Sequence, residues 1–178
     1  MEQDQSYRKI LANYDWVFWT DADSLIMNPS IPLEKLIDDR YFLIICKQSD
    51  HIMINSGQFL IKNDPISFKF LKDVYTPNLI NRGLYEQGAV NVVLRKKLYD
   101  RKVLYLHQRA MNSIWGVLWG DGCADVHYHV GDFILHFMGT GVNDLGAYMQ
   151  KWFDFLEANK AQIHSIVPDH LHVKIYRR

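Results

Sequence analysis

Tyr14-Asp15-Trp16-Val17-Phe18-Trp19-Thr20-Asp21-Ala22-Asp23-Ser24-Leu25-Ile26-Met27 is the stretch whose reading decides the fold. Val17, Phe18 and Trp19 run together without alternation, which predicts a strand buried on both faces. Two carboxylates follow at once, one residue apart. A strand ending in Asp-x-Asp puts both acids at its carboxyl end, where open α/β sheets bind ligands. Two neighbouring carboxylates repel unless a cation lies between them. Oxygen donors suit a hard ion such as Mg²⁺ or Mn²⁺, which keeps positions open for substrate phosphates. The stretch therefore reads as a metal–nucleotide site. A plain turn is the alternative, because Asp and Ser are common turn residues.

Around this stretch, residues 5–13 predict a short helix with Tyr7, Ile10 and Leu11 on one side. Asn28-Pro29-Ser30-Ile31-Pro32 is a loop, since two prolines limit regular pairing. Leu33 to Ile37 is a helical turn, and Tyr41 to Cys46 is a second buried strand in which Cys46 acts as a small hydrophobe. Residues 52–62 read as two strand pieces broken by Asn55-Ser56-Gly57. The glycine marks either a bulge with close ligand approach or an ordinary hairpin turn. Asp64 and Pro65 supply the N-cap and first position of a helix with Ile66, Phe70, Leu71, Val74 and Tyr75 on its apolar face. Glu86-Gln87-Gly88 opens another helix, buried through Ala89, Val90, Val93 and Leu94. Glu86 suits the positive end of the helix dipole, and Arg95, Lys96 and Lys97 suit the other end.

Val103 to Leu106 predicts a short strand. Residues 107–132 are loop-like, a length that is functional or mobile in a compact domain. They carry Trp115, Trp119, Asp121, Asp125 and the pair His127-x-His129, which lacks a clear third metal partner. Phe133-Ile134-Leu135 is a buried strand ending at His136, and Gly139 permits close backbone approach just beyond. A histidine at a strand end is ordinarily a hydrogen-bonded core residue. The last helix is expected over 143–160, with Leu145, Tyr148, Met149, Trp152, Phe153 and Leu156 on one face. Residues 161–178 form a weakly determined tail.

The 178 residues suit a single domain with a real core. Lys plus Arg and Asp plus Glu are both 20, a balance that argues against a nucleic-acid-coating surface. No apolar stretch reaches the length of a membrane span, and the polar start Met1-Glu2-Gln3-Asp4-Gln5 is no signal peptide. Two cysteines, Cys46 and Cys123, leave the redox compartment open.

Four segments occur in order: Trp16 to Leu25 with its Asp-x-Asp; Asn55-Ser56-Gly57-Gln58-Phe59-Leu60-Ile61-Lys62-Asn63; Glu86-Gln87; and Gly131-Asp132-Phe133-Ile134-Leu135-His136-Phe137-Met138-Gly139. The series resembles glycosyltransferase family 34 over about residues 7–155. That family holds fungal galactosyl- and mannosyltransferases and plant xyloglucan xylosyltransferases. The resemblance implies an α/β fold of the GT-A type and retaining transfer of a hexose or pentose. The donor would be a nucleotide-diphosphate sugar and the acceptor a glycan. It implies that Asp21, Asp23 and His136 hold Mn²⁺ (or Mg²⁺), with the ribose as the other partner open to Asp21. Asn55, Ser56, Gly57 and Gly139 would belong to the donor and acceptor wall. Glu86 and Gln87 would lie under the anomeric carbon of the donor as the catalytic pair. The expected location is the lumenal side of the Golgi membrane, although the chain carries no anchor.

Two departures from the family pattern shape the expectation. Family members have a further strand–helix segment, which supplies the nucleotide-base pocket, ahead of the helix that leads into the Asp-x-Asp strand. Residues 1–178 are thus expected to form a single, partial GT-A catalytic domain, truncated at the N-terminus and weak in turnover. Gly141 stands near the place of a phosphate-binding Lys in the plant enzymes, while Asp132 is closer to the fungal branch. Two other classes compete with this reading. One is a non-catalytic remnant or sugar-binding partner. The other is a haloacid-dehalogenase-like phosphatase, for which Ser24 stands where a Gly is usual. Asp23 and His136 are expected within reach of one cation, because both would end buried strands of one parallel sheet.

Overall fold

A computed structural model describes residues 9–47, 54–80, 85–115 and 125–167. Tyr7, Ile52, Met53, Trp119, Asp121, Cys123 and residues 168–178, which figure in the sequence reading, lie outside the described residues. The strands are β1 (Trp16–Thr20), β2 (Ser24–Ile26), β3 (Leu43–Lys47), β4 (Ile54–Lys62), β5 (Val103–His107), β6 (Ser113–Ile114) and β7 (Ile134–His136). Four of them form a sheet in the order β1-β4-β3-β5, and three form a second sheet in the order β2-β7-β6. Antiparallel ladders join β1 to β4 and β4 to β3, while β3 and β5 run parallel.

The strands covered on both faces are β3 and β5. Leu43, Ile45, Val103 and Tyr105 point into one core cluster, and Ile44, Cys46, Leu104 and Leu106 into another. Strand β1 departs from the expectation of burial on both faces. It is the last strand in its sheet's order, and Trp16 to Trp19 are half-buried. Both faces are covered in part: Val17 packs against the cluster of Leu43 and Ile45, and Trp16 and Phe18 against that of Ile44 and Cys46.

Strand β4 is continuous through Asn55, Ser56 and Gly57, which correct the expected break. Its pairing with β3 is irregular over these same residues: Ile45 lies opposite Phe59 and Lys47 opposite Ile54, so two steps on β3 face five on β4, and the bulge read from Gly57 is present. Residues of low strand propensity are tolerated here because their polar groups find fixed partners. Helix α1 (Pro65–Val74) follows, with Asp64 Oδ1 accepting from the Ile66 N–H at 2.9 Å. Helix α2 (Tyr85–Val93) is tied to the start of β4 by the buried Asn91. Asn91 Oδ1 accepts from the Ile54 N–H at 2.9 Å and Nδ2 donates to the Ile54 carbonyl at 3.0 Å. One amide thus fixes the distance between the strand carrying Asn55 to Gly57 and the helix carrying Glu86 and Gln87.

Helix α3 (Val142–His164) covers the second sheet. Leu145, Met149, Trp152, Phe155, Leu156 and Ile163 pack with Met27, Leu135 and Phe137. Phe153, expected on the stripe, is 46 % exposed. It lies one residue, roughly 100° of rotation, beyond Trp152 and so turns away from the sheet. Among the described residues no helix is long and apolar enough to cross a membrane.

The entry to β7 is held by an ion pair. Asp132 is 1 % exposed and accepts from Arg109 Nε at 3.0 Å and from its terminal guanidinium nitrogen at 2.9 Å. Ser113 Oγ and the His129 N–H also donate to it, at 2.7 and 2.9 Å. Arg109→Ala removes the counter-charge and leaves the carboxylate buried, which should cost about 3–5 kcal/mol of stability. Urea unfolding measures this; a loss below about 1 kcal/mol would mean that the hydroxyl and amide donors suffice alone.

Candidate active site

The Asp-x-Asp segment is the crossing between the two sheets. After β1 ends, the Asp21 N–H donates to the Gly57 carbonyl at 2.8 Å, holding Asp21 to β4. Two residues on, the Asp23 carbonyl accepts from the Phe137 N–H at 2.8 Å, so Asp23 already belongs to the second sheet. Strand β2 then pairs antiparallel with β7, and Ser24 lies opposite His136. This pairing, not the shared end of a parallel sheet, brings Asp23 and His136 together. His136 Nε2 lies 3.2 Å from Asp23 Oδ1 and 4.0 Å from Asp21 Oδ2. One ligand atom from each of the three residues falls within 4.8 Å of the others.

The electrostatics of the two acids differ. Burial pushes the Asp21 carboxyl above its usual range, against the lowering effects of the Trp19 indole and of His136. Trp19 Nε1 donates to Asp21 Oδ1 at 3.0 Å. The hydrogen bond with His136 holds Asp23 below its usual range, outweighing its own burial. Asp23 is thus ready to carry charge, whereas the charge of Asp21 is disfavoured until a positive partner arrives.

His136 is 2 % exposed, and its ring lies against the β4 backbone. A Cβ on Gly57 would lie 2.4 Å from His136 Cε1 and 2.9 Å from Nδ1, so only glycine fits beneath the imidazole. His136 Nδ1 is 2.9 Å from Asn112 Oδ1. Asn112 Nδ2 donates to Asn55 Oδ1 at 2.8 Å, and the same oxygen accepts from the Gly57 N–H at 2.8 Å. The remaining Asn55 amide N–H faces Met138 Sδ. Gln58 Nε2 donates to Ser24 Oγ at 2.6 Å, a further tie between β4 and the start of β2.

Glu86 and Gln87 stand in the first turn of α2. Gln87 Oε1 accepts from the Ser56 N–H at 3.4 Å, so the half-buried amide meets the strand that carries Gly57. Glu86 is exposed, and its charge is felt at Asp21. With Trp19, Ser56, Phe59 and Tyr75 it lines a cavity of about 230 Å³ between β4 and the two helices. Gly139 has φ 76°, a left-handed turn just past β7. The structure thus gathers Asp21, Asp23, His136 and Gly57, supports them through Asn55, and places Ser56 against Gln87.

His127 and His129 do not join such a group. Among the described residues, Asp21, Asp23 and His136 are the cluster able to hold a metal ion. The residues missed from the sequence are Asn112, Gln58 and Trp19 in its polar role. Gln58 had a signal, a lone amide inside an apolar strand. Asn112 had none.

Residues 5–113 match the family described as "Protein of unknown function, DUF273", and the chain belongs to that family. The fold is of the GT-A type. It matches the crystal structure of a glycosyltransferase involved in the glycosylation of the major capsid of PBCV-1. That likeness covers 83 % of this chain and 71 % of the other at a TM-score of 0.58 and 17 % identity. An active-site mutant of LgtC aligns over 90 % of this chain and 65 % of its own at a TM-score of 0.45 and 17 % identity, too loose to argue from. In sequence the chain is 25 % identical over 170 residues to a probable alpha-1,2-galactosyltransferase, gmh1, of Schizosaccharomyces pombe. The match takes in 72 % of this chain and 49 % of that protein, so the chain spans about half the length of this relative. The resemblance to fungal galactosyltransferases read from the ordered motifs is borne out.

Gly57→Ala tests the packing of the site. The added methyl must displace the imidazole or the strand, and overpacking of this kind costs about 1–3 kcal/mol. A lowered melting temperature together with weakened Mn²⁺ binding is expected. Unchanged values for both would show that the ring moves freely.

Proposed function

We propose that the chain is a metal-dependent, retaining glycosyltransferase, or the catalytic part of one. It would move a hexose, galactose or mannose in kind, from a nucleotide-diphosphate sugar to a glycan acceptor. The observation that carries this reading is the group of Asp21, Asp23 and His136 at the crossing of the two sheets. Cis ligands around an octahedral ion with bonds of ~2.1 Å lie about 3.0 Å apart, and trans ligands about 4.2 Å. The separations of 3.2 and 4.0 Å fall in that range. Two carboxylates with one imidazole suit Mn²⁺ better than an all-oxygen ion.

The two carboxylates and His136 Nε2 would hold the ion, which when bound offsets the charge of the diphosphate leaving group. In the reaction the bond from the sugar's anomeric carbon to the phosphate oxygen breaks, and a bond to an acceptor hydroxyl forms. The nucleoside diphosphate would leave with the bonding electrons, and its departing phosphate oxygen would take the proton of the acceptor hydroxyl. Gln87, whose amide accepts from the Ser56 N–H and whose helix is fixed by Asn91, would present that amide to the donor beside Gly57. Glu86 brings a carboxylate to the same turn and would meet the positive charge that develops on the sugar. Ser56, Gly57 and Gly139 would border the donor and acceptor. Location on the lumenal side of the Golgi membrane belongs to this reading and rests on the fungal relative. The phosphatase alternative falls with the GT-A fold.

The experiment is a calorimetric titration of a nucleoside diphosphate, with and without Mn²⁺, into wild type and Asp23→Ala. Tight binding is expected for wild type with Mn²⁺ and weak binding in the other three cases. Equal affinity in all four would overturn the reading. Gln87→Ala removes no core volume and should leave stability within about 1 kcal/mol. It should lower kcat at least tenfold, about 1.4 kcal/mol of barrier, with the donor KM less affected. Unchanged kcat beside a large drop in melting temperature would reverse that assignment.

A further inference from the structure

We propose that Asn112 is a positioning residue that holds a proton on His136 Nδ1 and so leaves Nε2 for a cation between Asp21 and Asp23. The cation to be held there rests on the function proposed above. The argument starts from a group whose polarity cannot change. The Gly57 N–H only donates, and it donates to Asn55 Oδ1 at 2.8 Å. The same oxygen accepts from Asn112 Nδ2 at 2.8 Å. With its Nδ2 turned to Asn55, Asn112 presents Oδ1 to His136 Nδ1 at 2.9 Å. A carbonyl oxygen only accepts, so Nδ1 carries the proton. With Nδ1 committed as a donor to Asn112, Nε2 is the nitrogen left for a cation, 3.2 Å from Asp23 Oδ1 and 4.0 Å from Asp21 Oδ2; without a cation an N–H at Nε2 can donate to Asp23, and it is given up when the metal bond forms. An unprotonated Nδ1 would set two lone pairs face to face at Asn112.

The relay is closed to solvent. Asn112 is 0 %, His136 2 % and Asn55 7 % exposed, so water is poorly placed to replace a missing partner. Asn112 is itself fixed relative to the strand of His136. Its N–H donates to the Gln108 carbonyl at 2.9 Å, and its neighbour Ser113 pairs in β6 with Leu135 of β7. A buried acceptor on the second ring nitrogen is the usual companion of a metal-bound histidine, and its loss commonly weakens metal binding 10–100-fold.

The test uses the full chain, ¹⁵N-labelled. Long-range proton–nitrogen spectra report which nitrogens of each ring carry protons. The signals of His136 are those lost in His136→Gln. Mn²⁺ alone is titrated in parallel by calorimetry. Wild type should show a protonated, pyrrole-like Nδ1. Asn112→Leu should lose that pattern and bind Mn²⁺ about 10–100-fold more weakly. Asn112→Asp keeps an acceptor for Nδ1 but sets a second acceptor against Asn55 Oδ1, so it should retain the Nδ1–H pattern with a lowered melting temperature. An unprotonated, pyridine-like Nδ1 in wild type overturns the proposal. So does a folded Asn112→Leu with an unchanged Nδ1–H pattern, or an Asn112→Asp that loses it. If Asn112→Leu does not fold, the wild-type and Asn112→Asp spectra decide. If no form binds Mn²⁺, the cation reading fails, while the spectra still decide the role of Asn112.

Discussion

The antiparallel pairing of β2 with β7 is the constraint on which the site depends. It sets Ser24 opposite His136 and brings Asp23 to the imidazole. A slip of one residue would turn His136 to the opposite face of its sheet and empty the cluster of its nitrogen. The register is held from several sides. Met27, Leu135 and Phe137 are packed under α3. Asn28, fully buried, donates to the carbonyls of Gly131 and Ile166, both at 3.0 Å, tying the end of β2 to the entry of β7 and to the segment after α3. The Arg109–Asp132 pair anchors the same entry.

The first sheet supplies the other half. Its contribution reaches the site through Gly57, which presents a carbonyl to Asp21, an N–H to Asn55 and a bare Cα to His136. One glycine therefore serves as strut, relay and clearance at once. The two acids stand on either side of the join between sheets, and their carboxyls are pushed in opposite directions, Asp21 by burial and Asp23 by His136. An arrangement in which one acid resists ionisation until a positive charge arrives is suited to a centre filled together with an anionic substrate.

The sequence showed the acids and the two helices because those signals are local. A strand ending in Asp-x-Asp, an Asp-Pro cap and a helical stripe each lie within a few turns of chain. His136 looked like a core histidine on its own residues, and the metal role proposed for it came only through the order of motifs. Strand β1 packs on both faces but is only half-buried, since periodicity cannot tell a strand at the end of a sheet from a central one when the side chains are Trp and Phe. Asn55 to Gly57 signalled a break and proved to be a bulge within a continuous strand, its polar groups held by partners distant in the chain. Asn112 was invisible for the same reason. Its contact with Asn55 spans 57 positions, and it lies in a stretch without periodicity.

The central claim is that Asp21, Asp23 and His136 form one cation site for a nucleotide-diphosphate donor. Anomalous scattering at the manganese edge, from crystals grown with Mn²⁺ and a nucleoside diphosphate, tests it directly. The account predicts a single strong peak at bonding distance, ~2.2 Å, from an Asp23 oxygen and His136 Nε2, with diphosphate oxygens completing the shell. Diphosphate bound with no peak between these side chains, or a peak held by other residues, would contradict it.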